Sequence, residues 1–192
     1  THLAGGGQPA EALDLLSALL AIAPEEAEAD IWHEPKTRIQ SHDYAGILRE
    51  SIPHLADSGG FDALELFCAL LATATEQRRG RNEENDYDDN SHYWRHNLDS
   101  YEVSMSREIT NGLTTAVFQT GRKILEKDPT AMRRIVEKLD SKRWTIFQRI
   151  ALHLLSEFDA PPQELVAQKL LDQSLLDGDT TRREYNLLAK AH

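Results

Sequence analysis

The chain has 192 residues, 40% of them hydrophobic and 28% charged, which suffices for a globular core. Its formal net charge of −11 opposes nucleic-acid phosphate, so DNA or RNA is not an expected partner. The single cysteine, Cys68, excludes an intramolecular disulfide, and with no apolar run near about 18 residues and no basic leader before an apolar stretch, the chain reads as soluble and cytoplasmic, with no membrane partner.

A first helix is predicted from Pro9, suited to a first-turn position, to the neighbourhood of Pro24. Leu13, Leu15, Leu16, Leu19 and Leu20 cover more than one of its faces, which predicts that it is sandwiched between neighbours. Within it, "ALDLLSALLAIA" at residues 12–23 returns 51 residues later as "ALELFCALLATA" at 63–74, with eight of twelve positions identical. Such repetition marks a chain built from similar helical units, and the start at Thr1 inside an apparent repeat predicts a fragment of something longer.

"PEEAEADIWHEPK" follows as an acidic turn or short helix anchored by Trp32. The next helix spans about Asp43 to Asp57, with Ile47, Leu48, Ile52 and Leu55 as its buried stripe and Pro53 as a kink. Gly59 and Gly60 end it, because glycine accepts a left-handed backbone. The second copy of the repeat forms a helix over 61–77. The unit is a helical hairpin whose second member is the inner one, and helices 9–22 and 61–77 are equivalent, with Leu13/Leu64, Leu16/Phe67 and Leu20/Leu71 buried.

Residues 78–90, "RRGRNEENDYDDN", hold five acids, three arginines and one tyrosine, which predicts a mobile solvent loop. "SHYWRHNLDSY" reads as a short aromatic helix capped by Ser91. A long helix covers about Ser106 to Lys127, striped by Ile109, Leu113, Ala116, Val117, Thr120 and Ile124, and "KDP" closes it. Pro129 to Leu139 is helical, and "SKRWTIFQRIALHLLSEF" carries the clearest stripe: Phe147, Ile150, Ala151, Leu154, Leu155 and Phe158. Helices from about Pro162 to Gln173 and Thr180 to Ala191 complete an all-α chain, expected as one α-α superhelix of the TPR or HEAT type over 1–192.

Charge is uneven. Residues 1–77 carry 3 Lys/Arg against 13 Asp/Glu, whereas residues 122–192 carry 13 against 11. The basic run Arg122, Lys123, Lys127, Arg133, Arg134, Lys138, Lys142, Arg143 and Arg149 is interleaved with apolar residues at helical spacing, which predicts solvated helix faces.

Chemistry is sparse. His92 and His96, four apart, would share one face of a helix as metal ligands, with Asp86, Asp88 and Asp89 as oxygen donors, but two histidines do not complete a zinc site. A calcium loop fails at Ser91, where a glycine is needed, and at Asn97, where a bidentate glutamate is needed. No phosphate-binding loop or serine nucleophile motif is present, and Glu83/Glu84 sit where nothing excludes water. His153 reads as a histidine on a helix flank rather than a general base. No cofactor is expected.

The order Glu34-Pro35, Asp43-Tyr44, Ile52-Pro53 with "LELFCALL", then "SHYWRHNLD", "KDP" and "IFQRIALHLL", resembles the C-terminal helical-repeat region of large bacterial STAND-type NTPases, over about residues 5–160. The resemblance implies an intracellular sensor with an N-terminal effector, a central ATPase lying outside these residues, and a repeat array that recognises a trigger. Together, repeat pattern and resemblance lead to the expectation of a non-catalytic region that binds a protein partner or other domains of its own chain. Tyr87, His92, Tyr93, Trp94 and Arg95 are the expected contact residues, with Arg143 and Trp144 beside them. The rival readings are a metal-binding or metal-dependent protein using His92 and His96, and a structural spacer.

Overall fold

The computed structural model describes residues 9–23, 35–79, 89–99 and 108–192. These residues are helical, with no strand among them beyond an isolated antiparallel bridge between Ile22 and Thr37. No helix among them is long and apolar enough to cross a membrane. The chain divides into two compact units, residues 1–86 with 99–124, and residues 87–98 with 125–192.

In the first unit, α1 (Pro9–Leu19), α2 (Ser41–Ser58) and α3 (Gly60–Arg79) pack on one another. The repeated stretches lie on α1 and α3, and Leu16, Leu20, Leu64, Phe67 and Leu71 are buried while Leu13 is half-buried. The copies differ at their edges: Leu15 and Leu19 on α1 are exposed, where their counterparts on α3 are half-buried Leu66 and buried Leu70. The expected sandwiching of α1 on all sides is therefore not met.

On α2 the stripe is Tyr44, Leu48, Ile52 and Leu55, with Ile47 only half-buried, and the helix runs on through Pro53 to Ser58. Gly60, at φ +51°, makes the left-handed turn into α3, while the amide of Gly59 closes α2 on the carbonyl of Leu55 at 2.8 Å. Gln77 of α3 staples the backbone around the bridge: its Nε2 donates to the carbonyl of Ala23 and its Oε1 accepts from the amide of Lys36 at 3.2 Å. Most of "PEEAEADIWHEPK", including Trp32, lies outside the described residues.

The long helix α5 (Ile109–Lys127), preceded in the chain by the single turn α4 (Ser91–Trp94), buries the whole expected stripe. From Ile109 to Thr120 every residue is buried apart from half-buried Gln119, so this part of the helix is enclosed on nearly all sides. Gly112 lets α5 approach α2, since a Cβ added there would lie 3.0 Å from Leu48 Cδ1. Arg78 near the end of α3 donates to Thr110 Oγ1 at 2.9 Å and lies 3.4 Å from Glu108 Oε2.

The second unit is built on α7 (Thr145–Glu157), which packs against α6 (Met132–Asp140) and α10 (Arg182–Ala191). A 3-10 turn, Pro129–Ala131, leads into α6, and the short α8 (Gln163–Leu170) and α9 (Gln173–Asp177) complete the unit where one helix is expected. Asp128 and Asp172 start the turn and α9 by accepting from the amides of Thr130 at 3.0 Å and Ser174 at 2.9 Å. Apart from half-buried Gln148, residues 145–155 are buried all round, so His153 is a core residue rather than the expected flank histidine.

The expected loop over 78–90 needs correction at both ends. Arg78 and Arg79 belong to α3, and Asp89 is buried; residues 80–88, Tyr87 among them, lie outside the described residues.

Candidate functional site

The segment 89–98 of the second unit holds most of the residues expected to meet a partner. Asn90, at φ +50°, adopts the left-handed conformation that asparagine tolerates better than most side chains, and α4 follows it. Ser91 is thus the first helical residue rather than the cap. Asp89 instead supplies the oxygens: its Oδ1 accepts from the amide of Ser91 at 2.8 Å, and its carbonyl accepts from Trp94 Nε1 at 3.0 Å.

Asp89 also reaches another element. Its Oδ2 accepts from the amide of Ile146 at 2.7 Å, in the first turn of α7, where the cap residue Trp144 offers no side-chain oxygen. A carboxylate borrowed from 57 residues upstream satisfies an amide that the helix itself leaves open, and its charge complements the positive end of the helix dipole. The same contact ties the 89–98 segment to the start of α7, which Trp144 precedes.

Beneath α4 lies Arg149, 1% exposed. Its Nε and Nη2 grip Glu184 of α10 at 3.0 and 2.8 Å, its Nη1 donates to Ser91 Oγ at 3.2 Å, and Nη2 also donates to the carbonyl of Arg95 at 2.7 Å. Glu184 is equally buried. An ion pair so far from water requires near-complete hydrogen bonding to offset its desolvation, and the fork geometry of arginine provides it. The pair ties α7, α10 and the 89–98 segment together.

This platform decides which side chains face outward. Tyr93 is 69% exposed and its ring stands 4.0 Å from that of half-buried His92, tilted by 41°. Trp94 is half-buried, and Arg95 is buried, with Nη2 donating to the carbonyl of Leu98 at 3.2 Å. Arg143 is exposed and sits 4.7 Å above the ring of Trp144, which is itself buried. Arg95 and Trp144 therefore serve as core, and Tyr93, His92, part of Trp94 and Arg143 form the accessible set.

Because α4 stops at Trp94 and Arg95 leaves the helical region, half-buried His92 and exposed His96 do not share a helix face. The spacing argument for paired metal ligands thus loses its premise. Arg149 is likewise misplaced by its grouping with the solvated basic residues. Its signal is present in the sequence: a lone arginine among "IFQRIALHLL" has to find a buried partner. Nothing in the sequence ties Asp89 to Ile146.

A concave feature lies in the first unit. Arg49, Ile52, Pro53 and Ala56 of α2 face Thr115, Gln119 and Lys123 of α5 across a cleft of about 120 Å³. No model of a known protein family, no curated protein and no solved structure matches the chain.

Proposed function

We propose that the chain is a non-catalytic helical-repeat region that recognises a protein partner, or another domain of its own chain, through the face carrying Tyr93, within a larger bacterial signalling or defence NTPase. The observation that carries this reading is Tyr93 itself, 69% exposed on a turn whose backbone is fixed by the buried Arg149–Glu184 pair. An aromatic anchor held rigid loses little conformational entropy on binding, and tyrosine and arginine dominate interface energetics. Arg143, lying over Trp144, adds an exposed charge in the same unit. The repeated stretch supports a TPR-like or HEAT-like stacking as part of the proposal, which would offer an extended surface.

The test places a photo-crosslinking residue at position 93 to identify the contacting species, then compares its capture by Tyr93→Ser and by the native chain. Tyr93→Ser should weaken capture about tenfold or more, with helical circular dichroism unchanged. Equal capture by both proteins would reject the Tyr93 face.

A further inference from the structure

We propose that the α2–α5 cleft binds a small monocarboxylate bearing an apolar tail, with Arg49 holding the carboxylate and Ile52, Pro53 and Ala56 receiving the tail. The reading is independent of the Tyr93 face, which belongs to the other unit.

Residues 49, 52, 53 and 56 recur at helical spacing on α2, and 115, 119 and 123 stand one turn apart on α5, so each wall is one helix face. The walls are graded. Ile52, Ala56 and Thr115 are buried, whereas Arg49 is exposed and Lys123 half-buried. Thr115 turns its hydroxyl to the carbonyl of Asn111 at 3.1 Å. Pro53 contributes no amide hydrogen. The interior wall is accordingly poor in free donors.

Charge then selects the ligand. Cations from both helices line the cleft, and among the described residues no acidic side chain does. In residues 1–77, where acids outnumber bases 13 to 3, Arg49 is one of only three basic residues. It forms no ion pair with a described residue, and the half-buried amide of Gln119 hydrogen-bonds to none of them. A guanidinium fork fits both oxygens of a carboxylate, and the Gln119 amide can donate to the same group. Size sets the tail: the volume is about 120 Å³, and a cavity of roughly 150 Å³ admits benzene, so a tail of about five carbons fits.

The test titrates the isotope-labelled chain with hexanoate, with hexan-1-ol as its neutral counterpart and acetate as the tail-less acid. Hexanoate should bind with a Kd on the order of 1 mM, perturbing the Ile52 methyls and the Gln119 side-chain amide. Hexan-1-ol and acetate should bind at least about tenfold more weakly, and Arg49→Gln should weaken hexanoate about tenfold while leaving hexan-1-ol unchanged. Since Arg49 is exposed, that variant should retain its circular dichroism. Equal binding of hexanoate and hexan-1-ol, or no response at Ile52 and Gln119, would overturn the proposal. Binding of acetyl-Ala-Ala-Leu about tenfold tighter than hexanoate would overturn the small-ligand assignment in favour of a peptide terminus.

Discussion

Arg149 and Tyr44 show how single polar side chains are accommodated in a helical core. Removing the guanidinium by Arg149→Ala leaves the Glu184 carboxylate buried without its partner, along with Ser91 Oγ and the Arg95 carbonyl. The expected cost is about 3–5 kcal/mol in urea unfolding, and a loss below about 1 kcal/mol would show that the pair is not buried in solution. Tyr44, fully buried, donates its hydroxyl to the carbonyl of Leu20 at 3.1 Å, and burial raises its pKa well above the ordinary value of 10.0. The unfolded chain therefore ionises this phenol first. Its contribution is fully present below pH 10.0 and declines as pH rises above it, so Tyr44→Phe should lose about 1 kcal/mol at neutral pH but flatten the alkaline limb of the stability curve. An alkaline limb identical in both proteins would contradict the assignment. Tyr44 was legible only as part of a motif, because one tyrosine at the edge of a stripe does not announce whether its hydroxyl finds a partner.

At the scale of elements, the repeat separates what a leucine is from where it sits. Leu71 on α3 is fully buried, whereas Leu19 on α1 is 37% exposed. Leu71→Ala should cost about 2–5 kcal/mol and Leu19→Ala within about 0.5 kcal/mol, read from unfolding midpoints; equal costs would mean the two copies share one environment. Periodicity predicted the inward faces of both copies, apart from half-buried Leu13, because a helix core face repeats every three to four residues. It did not predict the exposed edge of α1, because burial there depends on neighbours that a pattern cannot name. Short elements were harder still: α9 has five residues, too few for a period, and its start depends on Asp172. The Ser174 hydroxyl donates to that carboxylate and is the main cause that holds its pKa below the ordinary 3.8; burial opposes it, and the amides of Ser174 and Leu175 and the charge of Lys169 add to the lowering. The folded state thus binds this proton less readily than the unfolded chain. Its contribution is present above pH 3.8 and is lost as pH falls through the depressed value, so the Asp172→Asn variant should differ from the native chain at pH 6 and converge with it in strong acid. A difference that persists undiminished in strong acid would exclude the carboxylate as its source.

For the molecule as a whole, charge distinguishes the two units more sharply than helix content does. The first unit holds 19 acidic and 9 basic residues and the second 13 and 12, so nearly all of the net charge of −11 resides in the first. The sequence already displayed this gradient, because a charge count needs no fold; the segments that share a unit were not legible, since residues 87–98 join a core formed more than 25 positions downstream through contacts such as Asp89 to Ile146. Like charges carried by the segments of the first unit repel one another, and that repulsion is relieved as salt shortens the screening length from about 30 Å at 0.01 M to about 8 Å at 0.15 M. Local ion pairs such as Arg133–Glu164, at 2.9 Å and exposed in the second unit, are weakened by the same salt. Amide exchange in the full chain, followed residue by residue, should therefore show protection of α2 and α3 increasing between these two salt concentrations, while protection of α7 and α10 changes little. A gain confined to α7 and α10, or a loss in α2 and α3, would show that self-repulsion does not govern the first unit and that its surplus acids are already balanced by structure.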